Sequence, residues 1–145
     1  MPERETIERA NEDARQGKSA STQAGEFVRE EMHHIREGKH GAASSKQAIA
    51  IGLSKARRAG VKLGAPKGSA ALKKKAEQDE EAGERRGHKV SAKRSRAVSG
   101  ALRREPKSAA SHGALSRQAK ASAAKRGAPA RKRAAMKAAR TRNAA

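Results

Sequence analysis

Residues 22–60 read TQAGEFVREEMHHIREGKHGAASSKQAIAIGLSKARRAG, and this stretch decides the fold. Its first half predicts an amphipathic helix over about residues 22–37, capped by Ser21 or Thr22, because one stripe of residues recurs at helical spacing. Gly38 follows at the position where a helix commonly stops. The stripe consists of Ala24, Phe27, Val28, Glu31, Met32 and Ile35.

The second half of this stretch predicts another helix, Lys46–Ala59, capped by Ser44 or Ser45 and stopped at Gly60. Together the two segments predict a helical hairpin, in which Gly52 permits the helices to approach closely. One face of the second helix carries Ile49, Gly52, Leu53, Ala56 and Ala59. The side chains expected to meet across the hairpin are Phe27, Met32, Ile35, Ile49 and Leu53.

The segments on either side of the hairpin carry weaker signals. Residues 3–16 predict a short, highly charged helix, and residues 64–69, with the sequence Gly-Ala-Pro-Lys-Gly-Ser, predict a linker. Residues 70–86 have helical propensity but little apolar stripe. We therefore expect this last segment to be a solvated helix or to be disordered.

Composition limits how much core the chain can form. Isoleucine, leucine, valine and phenylalanine supply only 14 of 145 residues, and Phe27 is the single residue of the Phe, Tyr and Trp class. Alanine, with 33 residues, supplies most of the remaining apolar content and buries little surface per residue. Most of the large apolar residues lie in residues 1–63, so a small, marginal core is predicted there.

Charge is distributed unevenly along the chain. Residues 1–63 carry a net charge of +3, whereas residues 87–145 contain 17 lysines and arginines against one acid, Glu105. This segment is also rich in alanine and serine, and Pro106 and Pro129 interrupt it. Such a composition predicts a tail that is disordered when free, helical on an anionic partner, and directed at a polyanion such as nucleic acid.

These observations predict a mainly α protein, with a short helical hairpin module followed by a largely disordered, conditionally helical basic tail. The expected divisions are a helical module over 1–63, a linker and charged helix over 64–86, and the basic tail over 87–145.

Residues 26–68 resemble a family of small basic bacterial proteins that carries a domain of unknown function. The elements that carry the resemblance are KQAIAIGLSKARRAG at Lys46–Gly60 and the preceding REGKHG. From Ala114 onward the tail is similar to the tails of longer members. Its composition also resembles the tails of linker histones and bacterial histone-like proteins. The family resemblance implies no particular chemistry, whereas the likeness to histone tails implies phosphate binding.

No metal, cofactor or catalytic site is expected from the sequence. Glu30 with His33, and Glu31 with His34, are three residues apart and could each chelate, but a stable metal site needs three or four convergent ligands. The serines of the tail lack a base and a group to orient it, so an enzyme is not expected.

The expected partner is therefore nucleic acid, with DNA favoured over RNA, bound without sequence preference in a histone-like or nucleoid-associated role. The alternative is a protein–protein adaptor, or a ribosome- or RNA-associated protein, whose tail only localises it. Residues 22–60 could also supply a surface for a protein partner or for self-association. The residues expected to contact nucleic acid are Lys46, Arg57, Arg58, Lys93, Arg94, Arg96, Arg103, Arg104, Arg117, Lys120, Lys125, Arg126, Arg131, Lys132, Arg133, Lys137, Arg140 and Arg142.

No secretory signal and no membrane span are expected from the sequence. The N-terminus is charged from residue 3 and has no apolar region of the secretory kind. No window approaches the length of a membrane span, and there is no cysteine for disulfides or thiolate metal sites. A cytoplasmic, nucleoid-associated location is therefore expected.

Overall fold

A computed structural model of the chain describes residues 1–85 and 91–143. Within these ranges every regular element is helical, which confirms the mainly α prediction. None of these helices is both long and apolar enough to cross a membrane. The elements are α1 (Arg4–Arg15), α2 (Ala20–Arg36), α3 (Ser45–Arg58), α4 (Ala70–Glu84), α5 (Ala92–Arg104), a 3₁₀ turn (Lys107–Ala110) and α6 (His112–Asn143).

Serine residues begin four of these helices. The side chain of each accepts a hydrogen bond from a backbone N–H in the first turn, which satisfies a donor that has no partner within the helix. For α3 the cap is Ser44, one of the two predicted; for α2 it is Ser19, rather than Ser21 or Thr22. The four caps are Ser19, Ser44, Ser69 and Ser91.

The predicted hairpin is present, since α2 packs against α3. The helices approach most closely at Gly52, where an added methyl group would lie 2.7 Å from the Val28 Cα. Phe27 and Ile35 are fully buried, whereas Ile49 is only half-buried. The third helix in the core is α1, which packs on α2 and brings Ala10 and Ile7 to the cluster. The core cluster also includes Ala24, Phe27, Ala56 and Val61, with Leu53 and Leu63 partly buried against it.

Residues 70–84 form a helix, α4, that is exposed over most of its length, as expected of a solvated helix, but it also packs against α3. The contact depends on a polar anchor rather than an apolar stripe. Asp79 is 2% exposed, and its carboxylate accepts hydrogen bonds from the Ser54 hydroxyl at 2.6 Å, Arg58 Nε at 2.8 Å and Lys75 Nζ at 2.6 Å. Gly83 permits the approach, since a methyl group there would lie 2.6 Å from the Arg57 carbonyl oxygen.

Disorder of the tail is not supported, because its described residues form α5, the 3₁₀ turn and α6. Alanine-rich segments with lysine and arginine have high helix propensity, and a serine cap adds to it for α5. The start of the tail is also docked. The Gly41 N–H donates to the Leu102 carbonyl at 2.8 Å, the Ser45 hydroxyl donates to the Ala109 carbonyl at 2.5 Å, and Ala110 is fully buried.

The backbone forms two compact units, Met1–Ser111 and His112–Ala145. In the second unit, α6 is interrupted at Gly127, where φ is 73° and ψ is 164°, so two helical segments meet at a kink two residues before Pro129. The predicted boundary at residue 87 and the first tail cation, Lys89, lie outside the described residues, as do Ala144 and Ala145. The predicted division at residue 63 remains a prediction.

We expect Gly52→Ala to lower the free energy of unfolding by about 1–3 kcal/mol, because the new methyl group would overlap the α2 backbone at Val28. Gly25→Ala in α2 is the matched control: nothing lies within 4 Å of the added methyl group, so the gain in helix propensity should stabilise the protein by about 0.5–1 kcal/mol. Urea unfolding followed by circular dichroism measures both. Equal effects of the two substitutions would contradict the close helix contact.

A second prediction concerns Asp79. Burial, the largest single influence, raises the pKa of Asp79, but the hydrogen bonds from Lys75, Ser54 and Arg58 together outweigh it, and the pKa lies below its ordinary value of 3.8. A depressed folded-state pKa means that the carboxylate stabilises the fold above pH 3.8 and that this contribution is lost as the pH falls through the folded-state value.

Asp79→Asn should therefore destabilise the protein by about 1–3 kcal/mol at pH 7, and the difference from the unchanged protein should shrink between pH 4 and pH 2. Glu77→Gln, an exposed acid on the same helix, should change little at either pH. Thermal melts across this pH range measure the effect. A difference of the same size at pH 7 and pH 2 would exclude the charged carboxylate as the anchor.

Candidate functional site

The predicted nucleic-acid-binding residues of the tail all present their side chains to solvent. Every ion pair in the part of the chain that the structure describes joins residues between positions 3 and 85, so no tail cation is neutralised by an acid there. The exposed cations are Lys93, Arg94, Arg96, Arg103, Arg104, Arg117, Lys120, Lys125, Arg126, Arg131, Lys132, Arg133, Lys137, Arg140 and Arg142.

Helix α5 has a cationic face. Lys93, Arg96 and Arg103 are separated by three and seven residues, so at 100° per residue they fall on one side of the helix. Val98 and Leu102 fall on the opposite side, and Val98 is 53% exposed. This helix can therefore present a row of positive charge to an anionic surface.

Helix α6 carries its cations on all sides. Arg131, Lys132 and Arg133 are consecutive and point in directions about 100° apart, and Lys137, Arg140 and Arg142 are spread around the same segment. No single face is reserved for contact with base edges. This distribution is suited to attraction by phosphates from several directions rather than to insertion of one reading face into a groove.

The predicted cations of α3 have a different environment from those of the tail. Lys46 is exposed, but Arg57 is 9% exposed with its Nε 3.6 Å from Glu80 Oε1, and Arg58 Nε lies 2.8 Å from Asp79 Oδ1. Packing of α4 on α3 thus pairs two of the three predicted cations with acids. Whether they contact nucleic acid stays a prediction. The acid-rich sequence of α4 was the available signal that these arginines have partners within the chain.

A second candidate site is a buried cluster of carboxylates and histidines on α2 and the following loop. The Glu31 side chain is fully buried, and its Oε2 lies 2.7 Å from Lys55 Nζ. Its Oε1 lies 3.3 Å from His40 Nε2. Neither oxygen accepts a hydrogen bond of good geometry within the described residues. One atom each from Glu31, His34 and His40 lie within 4.8 Å of one another.

The neighbours of this cluster add further charge. The Glu30 side chain is 2% exposed; its Oε2 accepts from the Glu3 backbone N–H at 3.2 Å, and its Oε1 lies 3.7 Å from Lys55 Nζ. His34 Nε2 lies 2.8 Å from Glu3 Oε1. Hydrogen bonds from His34 and then Lys39 lower the pKa of the Glu3 carboxyl. His34 and Glu30 also line a surface cleft between α1 and α2.

Sequence reasoning found only part of this cluster. It singled out Glu30, Glu31, His33 and His34, but His33 is exposed and is absent from the group of convergent ligand atoms. It missed His40, which lies beyond the end of α2. The available signal was the spacing REGKHG, in which Gly38, with a φ of 80°, turns the chain so that His40 returns toward Glu31.

Comparison with known proteins gives one match. No curated protein and no solved structure matches the chain. The expected resemblance to a domain of unknown function is confirmed: residues 15–67, a little over a third of the chain, match DUF6496, a family of unknown function, and the matched segment contains α2, α3 and the Glu31, His34 and His40 cluster.

Proposed function

We propose that this protein binds nucleic acid without sequence preference, through the exposed lysines and arginines of α5 and α6, in a histone-like or nucleoid-associated role. The observation that carries the proposal is the contrast in charge pairing. Most acids in residues 1–85 are paired with neighbouring cations, whereas the cations of residues 91–143 are exposed and lack ion-pair partners among the described residues.

Counterion release supplies the affinity in this mechanism. Phosphates of a duplex hold condensed cations, and each lysine or arginine that replaces one returns it to solution. Residues 91–143 contain 16 such side chains and one acid, so several phosphates can be contacted at once. Binding of this kind is tight at low salt and weakens steeply as salt is added.

The absence of sequence preference follows from the arrangement of side chains. Phe27, the one residue of the Phe, Tyr and Trp class in the sequence, is fully buried, so it cannot stack on a base. The cations of α6 point in several directions, so the helix presents no single row of arginines to the base edges of a groove. Phosphate attraction is then the main source of binding energy. RNA offers the same phosphates, and DNA is the partner we favour because the tail has the composition of histone-like tails.

We expect log affinity for duplex DNA to fall against log salt with a slope of about −5 to −9, corresponding to about 6–10 phosphate contacts. Scrambling the DNA sequence should leave the affinity almost unchanged. Fluorescence anisotropy between 50 and 300 mM salt measures both quantities, with duplex RNA of equal length as a parallel arm. A shallow slope with a strong dependence on DNA sequence would overturn the mechanism, and much tighter binding to RNA would reassign the partner.

A charge-matched pair of variants tests where the contact lies. Replacing Arg131, Lys132 and Arg133 by glutamine should make the slope shallower by about two to three at most, because up to three phosphate contacts are lost. Replacing Lys67, Lys73 and Lys74 by glutamine removes the same charge from exposed positions of the first unit and should leave the slope nearly unchanged. Equal changes in both variants would mean that net charge, rather than the tail, determines binding.

A further inference from the structure

We propose that Glu31, His34 and His40 form a binding site for a divalent transition-metal ion, with zinc as the best fit. Two histidine nitrogens and one carboxylate oxygen are a donor set that zinc takes in proteins, with a water molecule in the fourth tetrahedral position. The site is independent of the cationic tail and of the nucleic-acid binding proposed above.

One distance between ligand atoms already matches that of a bound zinc ion. Two ligand atoms at about 2.0–2.1 Å from a tetrahedral zinc ion are about 3.3 Å apart. The His40 Nε2 and Glu31 Oε1 atoms are 3.3 Å apart. The third ligand atom, from His34, lies in the same group within 4.8 Å, so a small adjustment of its side chain would bring it to the ion.

In each histidine, the ring nitrogen that would not bind the metal already has a hydrogen-bond acceptor, which favours metal binding by the other nitrogen. His40 Nδ1 lies 3.0 Å from the Gly41 carbonyl oxygen, which accepts its proton, so the neutral ring has its lone pair on Nε2, facing Glu31. His34 Nε2 lies 2.8 Å from the Glu3 carboxylate, which leaves the lone pair of the neutral ring on Nδ1. Metal-binding histidines characteristically donate their other N–H to a backbone carbonyl or a carboxylate in this way.

Charge provides a second, independent argument. Glu30 and Glu31 are both buried, and Lys55 is the ammonium group that lies beside them. Two buried carboxyl groups beside one ammonium group favour a further cation, because unpaired charge is costly in a low-dielectric interior. His40 Nε2 and Glu31 Oε1 face each other at 3.3 Å, so a metal ion between them would be bound by both.

The position of the site indicates a structural role. Glu31 and His34 belong to α2, and His40 lies in the loop that leads to Gly41, whose N–H donates to Leu102 of α5. A bound ion would fix this loop on α2 and so hold the surface on which the start of the tail docks. His34 and His40 side chains are 12% and 16% exposed, so an ion can enter from solvent.

The test is a titration of the chelator-treated full-length protein with zinc chloride, followed by calorimetry and thermal melting. We expect one zinc ion per chain and a melting temperature that rises with zinc concentration. Cobalt(II) added in place of zinc should give the intense visible absorption of a four-coordinate ion. His40→Gln should weaken zinc affinity by at least about tenfold and abolish that absorption.

His33→Gln is the matched control, because it removes an exposed neighbouring histidine outside the cluster and should leave the titration unchanged. His34→Gln provides a second ligand variant that leaves the buried Glu31 and Lys55 pair intact. No saturable zinc binding by the unchanged protein, or equal binding by the His40→Gln and His33→Gln variants, would overturn the proposal. In that case the cluster is a network of polar contacts among protein side chains alone.

Discussion

The close contact of α2 with α3 at Gly52 is the constraint on which the rest of the first unit depends. An alanine-rich chain with one phenylalanine gains little from ordinary side-chain packing, so its helices must approach nearly backbone to backbone to exclude water. Gly52 allows this approach against Val28. The same approach buries Phe27 and brings Lys55 of α3 to the Glu31 carboxylate of α2. Both the core and the polar cluster therefore follow from one small residue.

Because apolar area is scarce, polar contacts take over part of the packing role. Asp79 anchors α4 to α3 by two hydrogen bonds, from Ser54 and Arg58, and Arg57 and Arg58 are paired with acids of that helix. These pairs also produce a contrast in charge pairing between the two parts of the chain. The acids of the first unit are largely paired with internal partners, and no acid among the described residues pairs with the tail cations. The acids lie almost entirely in residues 1–85. This uneven distribution explains both the polar contacts within the first unit and the unpaired cations of the tail.

The hairpin could be predicted from the sequence because its signals are local. Helical spacing, serine caps and stop glycines fixed α2 and α3 to within one or two residues. The packing of α4 could not be predicted, because it depends on Asp79 meeting Ser54 and Arg58, residues more than twenty positions away. The order of the tail was also missed: its charge suggested repulsion, whereas its alanines favour helix and Ala110 is buried where the 3₁₀ turn packs on α2 and α3.

The position of His40 also could not be predicted from local sequence signals. Periodicity places Glu31 and His34 on one side of α2, but it says nothing about a side chain in a loop whose direction is set by the turn at Gly38. That turn does two things at once: it returns His40 to Glu31, and it carries the chain on to Gly41, where a methyl group would collide with the Glu105 carbonyl. The loop is therefore tied at one end to a buried charge and at the other to the start of the tail. A change in the charge balance around Glu31 would thus act first on the loop between α2 and α3 against which the end of α5 is held.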